Sequence, residues 1–147
     1  MSDSHFISPD EAVTAELAAQ LATRARPGDV LCLRGPMGAG KSTFARAFIR
    51  ARCKNPVLEV PSPTFTLVQM YEHHDGNIWH FDLWRLSGPE ALEELAWDEA
   101  RGGIVLVEWP ERLGAHMPLN SLSITISLNP AGREIRLQGD PRWFDAS

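Results

Sequence analysis

Apolar residues along the chain switch between helical and strand spacing, and each switch marks an element. Over residues 8–25, "SPDEAVTAELAAQLATRA", Val13, Leu17 and Leu21 recur every fourth position and predict a helix buried along that stripe. Ser8 reads as its N-cap, Pro9 as its first helical residue and Glu11 as the acid closing a capping box. "GDVLCLRG" (28–35) predicts a short buried strand running straight into a glycine-rich turn, and "KSTFARAFIRARC" (41–53) the helix after it. "KNPVLEVPSPTF" (54–65) carries three prolines and reads as loop. "TFTLVQMYE" (64–72) and "NIWHFDLWRL" (77–86) predict two strands around "HHDGN", whose Asp-Gly pair signals a hairpin.

"GPEALEELAWDEA" (88–100) returns to helical spacing, and "GGIVLVEW" (102–109) has the continuous apolar run of a strand covered on both faces. "SLSITISL" (121–128) and "REIRLQG" (133–139) alternate around "NPAG" and predict a late hairpin. Helices and strands interleave without repeats or linkers. The pattern implies one α/β domain over residues 1–147, with a mixed parallel and antiparallel sheet flanked by helices.

Composition narrows the function classes. A formal charge of −5 argues against holding nucleic acid directly, since that binding rests on Lys and Arg neutralising phosphates. The opening "MSDSHFISPDEA" is polar and acidic, with neither the basic nor the apolar segment of a secretory signal. The longest clean apolar run, Ile104 to Val107, is far short of a membrane span. Cys32 and Cys53 are too few for a disulfide framework, and Cys32 reads as a buried thiol in a strand. A reducing, cytoplasmic setting away from membranes is expected.

The chemistry starts at Gly35. "GPMGAGKS" (35–42) matches G-x-x-x-x-G-K-[ST] at every fixed position, between a predicted strand and a predicted helix. Glycines let backbone N–H groups converge on phosphate oxygens, and the helix N-terminus adds a favourable dipole. Lys41 is expected to reach the outer phosphates and the Ser42 hydroxyl to ligate Mg²⁺. Glu108 ends the apolar strand "IVLVE" beside that loop, where such proteins hold the metal or position water. Asp82 in "HFDLWR" is a second candidate acid. Plainer readings stand beside these: a capping or salt-bridged carboxylate for Glu108, an ordinary strand-end residue for Asp82. Ser62, Thr64 and Thr66 lie on a Pro-stiffened loop of the kind that senses a γ-phosphate, or simply enters a strand. His73, His74 and His80 have no second cluster to complete a metal site and read as solvated or packed. The tryptophans read as core, except that Trp109 adjoins Glu108 and reports on the site or faces a partner. "LSGPE" (86–90) reads as a helix start after Ser87.

Together "GPMGAGKSTFARAF", "SPTFTLV", "HFDLWRL" and "LVEWPERL" resemble, in order and spacing, the TsaE (YjeE) family, small ATPases of bacterial tRNA threonylcarbamoyladenosine synthesis. The resemblance implies a compact P-loop NTPase fold that binds ATP and Mg²⁺. It also implies docking on a heterodimer of TsaD and TsaB, which modifies adenosine 37 of certain tRNAs, with tRNA met only through that complex. Hydrolysis that is slow without those partners is implied as well. Carried over, Met37, Gly38, Ala39, Gly40, Lys41, Ser42 and Thr43 cradle the phosphates. Ser42 and Glu108 attend the metal, Asp82 is the second acid, and Lys41, Asp82 and Glu108 form the catalytic set. Glu11, Glu111 and Arg133 fall at further nucleotide contacts. Four places depart from the family's habit: Ser42 stands for Thr, Trp84 for Tyr and Ala96 for Gly, and the first helix reads "ELAAQLA" (16–22) where Gly after Leu is common.

Two other uses of the loop remain open on sequence. A small-molecule kinase would need a lid of arginines, whereas Arg46, Arg50 and Arg52 lie on the helix after the loop. A nucleotide-binding scaffold without turnover would share the same loop. No N-K-x-D motif supports guanine selectivity.

Overall fold

The computed structural model describes residues 2–144; Met1 and residues 145–147 lie outside the described part. Its strands are β1 (Ser2–Ser8), β2 (Val30–Arg34), β3 (Val68–Tyr71), β4 (Ile78–Asp82), β5 (Ile104–Glu108), β6 (Leu122–Asn129) and β7 (Gly132–Gly139). They form one seven-stranded sheet in the order β1-β7-β6-β2-β5-β4-β3. The central strands β6, β2, β5 and β4 run parallel, while β7 and β3 pair antiparallel with their neighbours. The mixed sheet expected from the sequence is therefore present, and its parallel centre explains why β2 and β5 read as unbroken apolar runs.

Each face of the sheet is covered. Helices α1 (Glu11–Arg24) and α2 (Lys41–Arg52) cover one face, where Leu21, Phe44 and Phe48 meet Leu31, Leu33 and Leu106. On the other face Leu92, Trp97 and Leu113 close over Cys32, Phe81 and Val107. Side chains buried this completely contribute about 1.5–3 kcal/mol each, so the two layers hold the central strands firmly in register. Among the described residues, no helix is long and apolar enough to cross a membrane.

Several local expectations are corrected. The chain ahead of Ser8 forms an edge strand, β1, paired antiparallel with β7 from Ser2↔Gly139 to Ser8↔Arg133. Ser8 thus ends a strand, and Asp10 caps α1: its backbone is extended and its carboxylate accepts the Val13 N–H at 3.1 Å. The Ser8 hydroxyl bonds the Asp10 carbonyl at 2.7 Å and the Thr14 hydroxyl at 2.6 Å instead. With the cap two residues later, Thr14, Ala18, Leu21 and Ala22 are buried, and Val13 is 40% exposed. Glu11 becomes the first residue of α1.

The helix expected over 88–100 breaks in two. A 3-10 helix over Pro89–Leu95 and a short α3 (Trp97–Ala100) meet at Ala96, which is left-handed at φ 60°, ψ 38°. Trp97 and Trp143 are core residues as expected, but Trp84 is 41% exposed.

Candidate functional site

Parallel strands β2, β5 and β4 end at one edge of the sheet, the edge where α/β folds gather their ligand sites. The loop after β2 runs from Gly35 to Gly40 and feeds α2. Gly40, left-handed, occupies the N-cap position and offers no side-chain cap. The first N–H groups of α2 are left for an outside acceptor, which suits an anion. A Cβ on Gly35 would lie 2.1 Å from the Ile126 carbonyl oxygen, so only glycine fits where β2 turns out over β6. From behind, Arg133 donates its Nε–H to the Ala39 carbonyl at 2.8 Å and ties the loop to β7.

A cleft of about 340 Å³ opens over this loop. Gly38, Gly40, Ser42 and Thr43 line its floor, and Asp82 and Glu108 line its wall. Met37 stands on the rim, 68% exposed. Ala39 is fully buried, so it contributes backbone only. Ser62 and Thr64 come over the cleft from the Pro-stiffened loop with their hydroxyls 3.1 Å apart. Thr66 is instead engaged by Gln69 at 3.3 Å.

Lys41 is 5% exposed. Its ammonium donates to the Gly35 carbonyl at 2.7 Å and lies 3.6 Å from the centroid of the Trp109 ring. Burial lowers its pKa, opposed by the charges of Glu108, Glu111 and Asp82. Glu111 thus bears on the site electrostatically from an exposed position on the 3-10 helix Pro110–His116. Glu11 is exposed at the start of α1, on the same edge of the sheet as Arg133.

Asp82 and Glu108 are register partners on β4 and β5, so the two carboxylates sit side by side. Burial raises the Asp82 pKa, and Glu108 pushes it the same way; the Trp84 N–H, donating at 3.1 Å, partly offsets both. The Ser42 hydroxyl lies across the open edge of Glu108, at 3.3 and 3.4 Å from its two oxygens.

A hydroxyl and carboxylates are hard oxygen donors. Among the described residues, no three His, Cys, Asp or Glu side chains converge as a metal cage. A small donor set fits Mg²⁺, which keeps waters and phosphate oxygens in its shell, better than a metal needing an all-protein site.

Sequence reasoning missed two parts of this site. His80, read as packed or solvated, is buried but bonded to Glu108, with Nε2 at 2.7 Å from Oε2. Its signal was the H-x-D spacing, which on a strand puts His80 and Asp82 on one face. The second is Trp84, read as core: it packs against Trp109, already singled out beside Glu108, with centroids 4.5 Å apart, and the pair walls the cleft beside Lys41.

Arginines do not roof the cleft: none lines it among the described residues. Arg50 donates to the Leu58 carbonyl, and Arg52 to the Ala22 carbonyl and Asp75. A larger cleft of about 760 Å³ at the opposite end of β2, lined by Asp29, Arg101 and Arg142, shares none of this chemistry.

The model of the family described as "Threonylcarbamoyl adenosine biosynthesis protein TsaE" matches residues 8–135. Relatives carrying the name tRNA threonylcarbamoyladenosine biosynthesis protein TsaE include one from Aquifex aeolicus, 43% identical over 72% of this chain and 76% of its own. One from Bacillus subtilis is 35% identical over 82% of this chain and 73% of its own. One from Rickettsia felis is 41% identical over 72% of this chain, and the chain spans 62% of that protein's length. The crystal structure of Bacillus subtilis YdiB superimposes with a TM-score of 0.72 at 27% identity, covering 97% of this chain and 88% of that one. With the family model spanning most of its length and these relatives at such identities, the chain belongs to the TsaE family of threonylcarbamoyladenosine biosynthesis proteins.

Proposed function

We propose that the chain binds ATP with Mg²⁺ at the Gly35–Thr43 loop and hydrolyses it, acting as a nucleotide-driven switch in tRNA threonylcarbamoyladenosine formation. The complex it drives is a TsaB–TsaD heterodimer, tRNA is met only through that complex, and the setting is cytoplasmic. One observation carries the catalytic reading: Lys41, Ser42, Asp82 and Glu108 converge in one cleft over uncapped helix N–H groups.

The loop's backbone N–H groups and Lys41 hold the phosphates, with Arg133 keeping the loop in shape from behind. Glu111, whose charge acts on Lys41, and Glu11 at the start of α1 do not line the cleft and would serve as further nucleotide contacts from outside its lining. Ser42 and Glu108 would hold Mg²⁺, which when bound neutralises charge on the phosphate oxygens. Asp82 has a raised pKa and so a greater appetite for a proton than an ordinary carboxylate, which suits it to orient the attacking water and take its proton. Ser62 and Thr64 line the cleft with hydroxyls that would meet the γ-phosphate.

The test is Mg²⁺-dependent phosphate release by the purified chain, with Lys41→Ala beside it. Loss of at least about a hundredfold in the variant is expected, from removing one phosphate-stabilising donor. Phosphate appearing on a small-molecule acceptor would replace the reading with a kinase. Tight binding without turnover, even with partners present, would replace it with a scaffold.

A further inference from the structure

We propose that His80 is a positioning residue for this site: its imidazole fixes the Glu108 carboxylate so that Oε1 is presented to the metal and Ser42. The inference rests on the reading of Glu108 as the metal-associated acid.

Register places His80 opposite Leu106 and Asp82 opposite Glu108, so His80 lies one step below the acid pair and reaches Glu108 across the strands. The ring is 1% exposed and the carboxylate residue 3%. Their 2.7 Å contact is short, and because a carboxylate only accepts, Nε2 carries the hydrogen. His80 Nδ1 is buried without a partner among the described residues. The imidazole therefore makes its polar contact with Glu108 alone. Burying a polar ring for packing only would cost desolvation that Leu or Phe at the same place would avoid.

The Glu108 end of the contact is equally specific. Its other side-chain hydrogen-bond contacts are those to Ser42 at 3.3 and 3.4 Å, too long to hold a carboxylate in one rotamer. His80 occupies Oε2, which leaves Oε1 with only the 3.3 Å contact to Ser42 in a residue that lines the cleft. Groups that orient a metal-associated ligand in this way typically control metal affinity by about 10–100-fold.

The test compares His80→Gln with His80→Asn. Both are polar amides, but the Gln amide reaches the position of Nε2 and can donate to Glu108, while the Asn amide stops short. Calorimetry gives the dissociation constant for ATP with and without Mg²⁺ in each protein, and thermal melts show that each is folded at the assay temperature. The wild type and His80→Gln should show the same Mg²⁺-dependent tightening. His80→Asn should lose about 10–100-fold of it while its Mg²⁺-free affinity stays unchanged. If His80→Asn unfolds, His80→Phe takes its place with the same expected loss. Equal tightening in His80→Gln and the non-donating variant overturns the inference and leaves the proposed function standing. ATP binding by the wild type that ignores Mg²⁺ overturns both.

Discussion

Replacing Gly35 by Ala tests how the fold shapes the loop. The new Cβ would sit 2.1 Å from the Ile126 carbonyl oxygen, at φ +141°. Restoring van der Waals contact requires about 1 Å of retreat by β6 backbone that is hydrogen-bonded on both sides. Forcing a side chain into a glycine-only conformation costs about 1–3 kcal/mol, and overpacking a well-filled site about 1–3 kcal/mol more. The expected loss is thus roughly 2–6 kcal/mol, or about 5–20 °C in melting temperature for a chain of this size. Gly38→Ala is the control, because its φ is +82° but nothing lies within 4 Å of the added Cβ. Only the backbone term applies there, about 1–2 kcal/mol. Chemical denaturation of both variants measures the difference. Equal losses would refute the claim that contact with β6 dictates Gly35.

Three further outcomes follow from the same geometry. Ala96→Gly should gain about 0.5–1 kcal/mol in denaturant melts, because the left-handed φ of 60° strains Ala but not Gly. Asp82→Asn keeps the acceptor for the Trp84 N–H but removes a carboxyl whose pKa is raised, chiefly by burial. A raised folded-state pKa means stability is lost as pH climbs from the ordinary carboxylate range through the folded value. The Asn variant should therefore melt higher than wild type at neutral pH, with the gap closing in acid, while phosphate release falls; a pH series of melts checks it. Arg133→Gln loses the charge-assisted bond to the Ala39 carbonyl, about 1.5 kcal/mol, and should weaken ATP binding roughly tenfold by titration calorimetry.

Much of this arrangement was legible in the sequence because the loop's requirements are local. Glycines, Lys41 and Ser42 must follow a buried strand and open a helix, and β2 and α2 do so within a residue or two of expectation. Glu108 and Asp82 were legible as strand-end acids; that they sit side by side depends on the β4–β5 register, which no local pattern states. Strand β1 was hidden because it is an edge strand whose apolar residues Phe6 and Ile7 are 41% and 50% exposed, leaving no buried period-two stripe. That strand in turn moved the helix cap from Ser8 to Asp10. His80 was hidden for a different reason: its partner lies 28 residues away and meets it only through the sheet. The break at Ala96 defeats helical spacing, since the flanking residues carry that spacing on both sides of a left-handed turn.

The central claim is a nucleotide switch that works on a separate complex. The measurement that meets it most directly is steady-state ATP turnover by the chain, alone and with the TsaB–TsaD heterodimer, using Lys41→Ala as the blank. The account predicts slow turnover alone, a rise when the heterodimer is added, and loss of both in the variant. Turnover that the heterodimer leaves unchanged, or that survives in Lys41→Ala, would contradict it.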